Sequence, residues 1–269
     1  MTTTPHAYTH GHHESVLRSH RWRTAENSAS YVLPHLAPGL SLLDVGCGPG
    51  TVTVDLAARV APGRVTGVEI SEQALRQATA HARTSGQENV DFVLGDVQSL
   101  DLPADAFDVV HAHQVLQHLA DPVGALAEMR RVCRPGGIVA ARDGDYAAFT
   151  WFPRVPALDE WLALYRKVAV ANGGEPDAGR RLLSWARAAG FTAVTATAST
   201  WCFATDADRR WWGGMWAERI VHSDLASHAL ATGMATADDL RRISAGWRDW
   251  ANAPDGWFAV LHGEIVCRT

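Results

Sequence analysis

Three carboxylates and a run of glycines are the residues of this chain whose types and spacing suggest chemistry. Asp44-Val45-Gly46-Cys47-Gly48-Pro49-Gly50-Thr51 sets an acid and three alternating glycines directly behind the apolar pair Leu42-Leu43. Glycines in such a turn permit positive φ and put no side chain between the backbone and a ligand, while the N–H groups of the following helix face it. Glu69 ends an apolar run some twenty residues further on, where a carboxylate can accept both hydroxyls of a ribose. Gly95-Asp96-Val97 places another acid behind a third apolar run. Each acid alone could be a cap or a loop carboxylate. Acids at successive strand ends instead suit a small polar molecule of nucleotide type.

The elements that must position these residues follow from hydrophobic periodicity. Strands are expected at Leu42–Val45, Val65–Ile70, Phe92–Leu94, Phe107–His111 and Ile138–Ala141, with helices at Val52–Val60, Ala74–Arg83 and Val123–Cys133. Ala61-Pro62-Gly63, Leu102-Pro103-Ala104 and Arg134-Pro135-Gly136-Gly137 supply the turns between them. Short apolar strands alternating with helices predict a parallel, doubly wound sheet with its ligand at the carboxyl ends of the strands.

The second half breaks that rhythm. Leu158–Val170 and Arg180–Ala189 read as helices, followed by two β-rich stretches, Ala193–Phe203 and Phe258–Cys267, that suit an antiparallel pair at a sheet edge. The stretch 204–256 between them is too long for a hairpin loop, and its spacing of Trp212, Trp216, Ile220 and of Leu240, Ile243, Trp247, Trp250 predicts amphipathic helices. It reads as a helical lid inserted between two core strands. The expected organisation is one domain: an arm and helix over 1–36, a core over 37–203 and 257–269, and the insertion 204–256. In the arm, Thr24 is the expected cap of a helix that stops near Pro34.

Composition narrows the partners. The chain has 269 residues and a formal net charge of −5, with Lys167 its single lysine and no basic stripe, which disfavours nucleic acid. No stretch is long and apolar enough to span a bilayer and no leader pattern opens the chain, so a soluble, cytoplasmic protein is expected, as a monomer or a homodimer. The four cysteines are scattered without a Cys-x-x-Cys pair. His10, His12, His13 and His20 lack the i, i+4 spacing that sets two ligands on one helix face, so no metal site is expected. Their segment is either a solvated arm or a functional one in which Tyr8, His20 or Arg23 closes over the ligand. Ten of eleven tryptophans lie between Trp151 and Trp257, which hints at a second half specialised for recognition.

Taken together, Leu43-Asp44-Val45-Gly46-Cys47-Gly48-Pro49-Gly50, Glu69, Gly95-Asp96 and Arg134-Pro135-Gly136-Gly137 closely resemble the class I S-adenosylmethionine (SAM) dependent methyltransferases. A dinucleotide fold would place a third glycine where this chain has Thr51, which counts against an NAD(P)-dependent oxidoreductase. A SAM-binding scaffold that serves a partner is a third reading, although nothing in the motif is visibly broken. The resemblance implies an α/β, doubly wound, mostly parallel seven-stranded sheet with an antiparallel last strand. It also implies roles. Gly46, Cys47, Gly48 and Gly50 would pass close to the methionine and ribose parts of SAM, and Asp44 would organise the loop and the amino group. Glu69 would hold the ribose hydroxyls, Ile70 would pack on adenine, and Asp96 with Val97 would address the adenine amino edge. His113 and Gln114 would line the methyl region, with Arg23 as partner of the SAM carboxylate.

SAM carries an activated methyl, so an enzyme using it must chiefly align a nucleophile and, where necessary, remove a proton. Candidates for that second task are His113, His118, Asp145 and Tyr146, with Asp143 beside them. Gln117-His118-Leu119 could equally start or cap a helix, and Asp143-Gly144-Asp145-Tyr146 could be a solvated turn. For the acceptor, Tyr8, His20, Trp151, Trp212 and Trp216 are the expected substrate-side residues, with Phe152, Trp201 and Trp211 as further walls. They suit an aromatic, prenylated or otherwise apolar small molecule. Their alternative is packing of the inserted helices against one another. His113-Gln114-Val115-Leu116 stands where enzymes that methylate base amines carry Asn/Asp-Pro-Pro-aromatic, which again disfavours nucleic acid. The pattern resembles the quinone-biosynthesis and natural-product branch of small-molecule methyltransferases.

Overall fold

A computed structural model describes residues 14–269. Its helices are α1 (Glu14–Arg21), α2 (Ala25–Ser28), α3 (Thr51–Val60), α4 (Glu72–Thr84), α5 (Pro122–Val132), α6 (Pro156–Ala171), α7 (Leu182–Ala188), α8 (Asp206–His222), α9 (Asp224–Ala231) and α10 (Ala237–Asn252). Its strands are β1 (Leu42–Val45), β2 (Val65–Glu69), β3 (Val90–Leu94), β4 (Phe107–His113), β5 (Cys133–Gly144), β6 (Thr150–Phe152), β7 (Ala193–Phe203) and β8 (Trp257–Arg268). Strands β3-β2-β1-β4-β5 are parallel neighbours, and β8 runs antiparallel to β5. The chain reverses between β1 and β4, and in such sheets ligands sit at that switch point.

The doubly wound, mostly parallel sheet with an antiparallel last strand is therefore present, with one strand more than the seven expected. The addition is the three-residue β6, which pairs with the start of β8 beyond the point where β5 ends. So short a strand has no periodicity of its own to reveal it. Helices α8, α9 and α10 lie between β7 and β8, and Thr205 and Thr236 cap α8 and α10 through reciprocal hydrogen bonds with Asp208 and Asp239. Thr24 caps α2, but that helix ends at Ser28 and only a single 3₁₀ turn, Leu33–His35, occupies the Pro34 region. No helix among the described residues is long and apolar enough to cross a membrane.

Alternation along the strands gives the sheet two unlike faces. One carries Leu43, Val45, Val110, Ala112, Val139 and Ala141 and is apolar throughout, packed against α5 and α7. The other begins apolar with Leu42, Val109 and Ile138 under α2 and α3. It turns polar towards the carboxyl ends, where Asp44, His111, His113, Arg142, Glu264 and His262 are all buried. The registers Asp44↔His111, His113↔Arg142 and Arg142↔Glu264 set these side chains shoulder to shoulder across β1, β4, β5 and β8. A third region, around α6, α8, α10 and β8, is an aromatic core containing Trp161, Trp212, Trp216, Trp247 and Trp250.

Candidate functional site

A cavity of about 480 Å³ opens at the carboxyl ends of β1, β2 and β4 and runs beneath α1 and α8. The glycine turn forms one wall. Gly46, Gly48 and Gly50 have φ of +65°, +54° and +79°, values open to glycine and costly for other residues. A Cβ on Gly46 would lie 2.4 Å from Val115 Cγ2, whereas one on Gly48 would meet nothing closer than His20 Nδ1 at 3.9 Å and would enter the cavity. Gly50 does not line the cavity: its missing Cβ makes room for Ala78 and Phe92, so this glycine lets α3 pack on α4 and β3.

The acids divide into a support and a rim. Asp44 is buried, accepting from Thr53 Oγ1 at 2.6 Å and from His111 Nδ1 at 2.8 Å, which ties the start of the turn to α3 and β4. Glu69 bridges the turn to the end of β2, accepting from the N–H groups of Gly48 (3.1 Å), Ile70 (2.9 Å) and Ser71 (3.0 Å). A carboxylate has about four lone-pair sites, so room is left for hydroxyl donors. Asp96 accepts from Gln98 N–H at 2.9 Å, beside the buried Val97. Ile70 is 71% exposed at the same mouth, an apolar side chain with no protein to cover it.

The β4 end meets the N-terminal arm. Arg23 Nη2 donates to Gln114 Oε1 at 2.6 Å, and Gln114 adopts a positive φ of +54° that turns its side chain into the cavity wall. His113 Nε2 accepts from Arg142 Nη1 at 2.9 Å, because a guanidinium only donates. Burial, aided by the charges of Arg23 and Arg142, holds the His113 imidazole well below its ordinary pKa. Arg142 is itself paired with Glu264 at 3.2 Å, and Thr197 Oγ1 donates to the other carboxylate oxygen at 2.8 Å. His118 sits half-buried in the wall with Nε2 3.0 Å from Gln117 Nε2. Gln117 Oε1 accepts from Gly144 N–H at 3.1 Å, so its nitrogen is the atom that donates to His118. Desolvation and the Arg23 charge bring that imidazole down to about 3.

The remaining expected catalytic residues are placed differently from one another. Asp145 lies off the cavity in a bidentate pair with Arg180, both oxygens 2.7 Å from guanidinium nitrogens. Tyr146 lines the cavity, stacked 3.9 Å from Tyr165 and hydrogen-bonded to it, with burial raising its pKa. On the substrate side, Trp212 and Trp216 face the cavity, joined by Trp201 and Trp211. Trp151 does not: it stacks on Phe258 at 5.6 Å. Phe152 is also absent from the wall and is 56% exposed. His20 belongs to the glycine-turn end, where its carbonyl accepts from Thr51 Oγ1 at 3.2 Å. Tyr8, His10, His12 and His13 lie outside the described residues.

The lining residues not singled out for this site by the sequence include Ser19, Trp22, Phe149 and Arg219. Trp22 packs 5.1 Å from Trp201 and 5.3 Å from Trp211, bringing α1 over the aromatic end. The run Ser19-His20-Arg21-Trp22-Arg23, with its aromatic among polar residues just ahead of the Thr24 cap, was the available signal. Arg219 follows Trp212 and Trp216 at helical spacing, so its face could have been read from theirs.

The donor set fits SAM. The cradle has space that a Cβ on Gly48 would fill, a carboxylate with spare acceptor capacity, an uncovered isoleucine and an arginine, all on one cavity. A nucleoside bearing hydroxyls, a flat base and an amino-acid tail matches that order. The fold and the site define a Rossmann-like SAM-dependent methyltransferase. Comparison with known proteins agrees: a family described as a methyltransferase domain matches residues 36–190. An uncharacterized methyltransferase of Schizosaccharomyces pombe is 36% identical over 268 residues, covering 96% of this chain and 95% of that protein. Demethylmenaquinone methyltransferase of Staphylococcus aureus is 37% identical over 138 residues, 51% of this chain and 54% of the enzyme. The crystal structure of the Bacillus subtilis YcgJ protein superposes with a TM-score of 0.59 at 20% identity, covering 90% of this chain and 98% of that one, a likeness of fold. The chain belongs to the class I SAM-dependent methyltransferases of small-molecule type.

Proposed function

We propose that the enzyme transfers the methyl group of SAM to an oxygen, nitrogen or carbon nucleophile of a small apolar or aromatic molecule. The observation that carries this reading is the continuity of one cavity, which joins the glycine turn and Glu69 to a wall of Trp201, Trp211, Trp212 and Trp216. SAM supplies an electrophilic methyl on a good leaving group. In this reading the chain supplies position. Gly46, Cys47 and Gly48 bring backbone close to the cofactor, Asp44 keeps their turn in place, and Glu69 accepts from the ribose hydroxyls. Ile70 and Val97 flank the adenine, Asp96 accepts from its amino edge, and Arg23 with Gln114 addresses the carboxylate end.

The aromatic rings exclude water and orient a flat acceptor against the methyl. The partial relative named demethylmenaquinone methyltransferase supports an acceptor of quinone-like chemistry. The test is turnover of labelled SAM against panels of quinones, phenols and aromatic amines, with calorimetry of S-adenosylhomocysteine and NADH alongside. The reading expects S-adenosylhomocysteine to bind, NADH not to, and label to appear in a member of at least one panel. Binding of NADH alone, or label transfer to none of the panels, would overturn it.

A further inference from the structure

Behind the cavity wall lies a buried ion pair that stability alone does not explain. Arg142 and Glu264 are 1% and 4% exposed and 3.2 Å apart, and a buried pair of this kind is often no more stabilising than apolar residues of the same volume. What the pair does is hold one guanidinium in place. Arg142 Nε also donates to Ser199 Oγ at 3.2 Å, Nη2 lies 3.0 Å from His262 Nδ1, and the guanidinium carbon stands 4.9 Å from the Trp201 ring centre. Its Nη1 reaches the cavity wall, where it meets His113 Nε2 at 2.9 Å.

Burial lowers the Arg142 pKa to about 10, which leaves the side chain a cation at neutral pH, and a guanidinium has no lone pair with which to accept. His113 Nε2 is therefore the acceptor, and the ring carries its proton on Nδ1. Among the described residues Nδ1 has no partner of its own. The ring is 7% exposed, lines the cavity and stands 5.8 Å from the ring of Trp201, one of the aromatic walls. A desolvated N–H without an acceptor is costly, so a ligand that brings an oxygen to this point is favoured over one of the same shape that does not. With Nε2 engaged and Nδ1 already protonated, the ring gives a hydrogen bond and takes no proton.

We propose that His113 is a fixed hydrogen-bond donor to a carbonyl oxygen of the methyl acceptor, and that Arg142 is the positioning residue that keeps the proton on Nδ1. This role rests on the SAM reading of the cavity and adds to it the class of acceptor. The test uses protein with ¹⁵N-labelled histidines, saturated with S-adenosylhomocysteine. Nitrogen–proton correlation spectra report which ring nitrogen carries the proton, the His113 signals being those lost in His113→Asn. The wild-type ring should be the Nδ1–H tautomer. The double variant Arg142→Met, Glu264→Gln removes both charges and leaves neither buried alone, and there the Nε2–H tautomer should appear. Titration with 2-acetylnaphthalene and with 2-isopropenylnaphthalene, which has a CH₂ in place of the oxygen, then reads the donor by tryptophan fluorescence. The ketone should bind roughly tenfold tighter. His113→Leu should abolish that preference, and His113→Asn, with an amide N–H near the place of Nδ1, should recover part of it. S-adenosylhomocysteine affinity, which also reports that the variants fold, should change less than about threefold, a small part of what one hydrogen bond to the cofactor would cost.

An Nε2–H or doubly protonated His113 in the wild-type protein would overturn the inference, and that spectrum decides it even where the double variant does not fold. Equal binding of the two probes, binding of neither, or a preference that survives in His113→Leu would overturn it while the SAM reading stands. A tautomer unchanged in the folded double variant would remove Arg142 from the role. A parallel loss of S-adenosylhomocysteine affinity in His113→Leu would assign the ring to the cofactor and overturn the inference as well. Failure of the wild-type protein to bind S-adenosylhomocysteine would bring down the SAM reading beneath it.

Discussion

At the carboxyl ends of β1, β2 and β3 the chain meets the cavity with backbone and carboxylates; under α1 and α8 it meets the same cavity with rings. The first region is made by local geometry. Three positive φ values within five residues and one carboxylate that gathers three N–H groups fix its shape, and little apolar surface is spent there. The second is made by contacts between distant segments: Trp161 of α6 meets Trp216 of α8 edge-on at 4.6 Å and Trp247 of α10 at 4.8 Å. One region therefore borders the cavity with backbone held by local geometry, the other with the inner rim of a packed core. Damage to the two should separate stability from cofactor affinity.

The largest separation is expected at Trp247, which is fully buried and also packs on Trp250 and Phe258. Trp247→Ala should remove about 3–5 kcal/mol of stability through the lost burial and the cavity left behind. Denaturant unfolding would show the loss, while calorimetry on the protein that remains folded should return the wild-type affinity for S-adenosylhomocysteine. A large drop in that affinity would show that the aromatic core also shapes the cofactor end.

That asymmetry explains what was legible in the sequence. The parallel strands, the turn and the order Asp44, Glu69, Asp96 could be read because strand period and glycine spacing are local. Gly50 shows the limit of such reading, since its role is to admit Ala78 and Phe92, residues that adjoin it only in the fold. The same holds for Asp145, whose partner Arg180 is far along the chain, and for Trp151, whose stacking on Phe258 depends on β6 pairing with β8. The buried row His113, Arg142, Glu264 arises from strand order and register, which no single segment encodes. His113 and His118 looked like bases because histidine titrates near neutral pH; their surroundings, absent from the sequence, hold them neutral.

At the cofactor end the corresponding lesion is Glu69→Ala. It deletes the acceptor proposed for the ribose hydroxyls and should weaken S-adenosylhomocysteine by about 1–3 kcal/mol, roughly five- to a hundredfold. Unfolding should shift little, since the freed N–H groups of Gly48 and Ile70 border the cavity and that of Ser71 lies at the half-exposed start of α4, where they can turn to water. Unchanged affinity would remove Glu69 from the site.

The polar row between the two regions should respond to pH rather than to a cavity. His113, His118 and His262 are all depressed, chiefly by burial, so they stay neutral in the native state and charge in the unfolded chain below about 6.5. Their effect is stability lost as pH falls. Asp143 works in the opposite sense: burial pushes it up to about 7, so the stability it contributes at low pH is lost as pH rises through that value. Three groups against one leave a net loss of about 2 kcal/mol between pH 6.5 and 5.5. Denaturant midpoints across that interval would show it, and Asp143→Asn should steepen the fall by removing the opposing group. A flat profile would mean that the histidines charge without cost and that the row is open to water.

The smallest effect is expected where the two regions are joined at the surface. Arg18 of α1 pairs with Glu218 of α8 at 2.7 Å, with side chains 37% and 43% exposed. Exposed pairs of this kind contribute about 0–1 kcal/mol and are screened by salt. The arm has other anchors in Trp22, wedged among Trp201, Phe203 and Trp211, and in the Trp201 indole N–H that donates to Asn27 carbonyl at 2.6 Å. Arg18→Ala should therefore leave S-adenosylhomocysteine affinity within about threefold, with a deficit that vanishes in molar salt, the Debye length there being about 3 Å. If affinity fell further and salt did not erase the difference, the arm would be held by its charge and not by its ring. The aromatic region would then end at α8, and α1 would belong with the glycine turn.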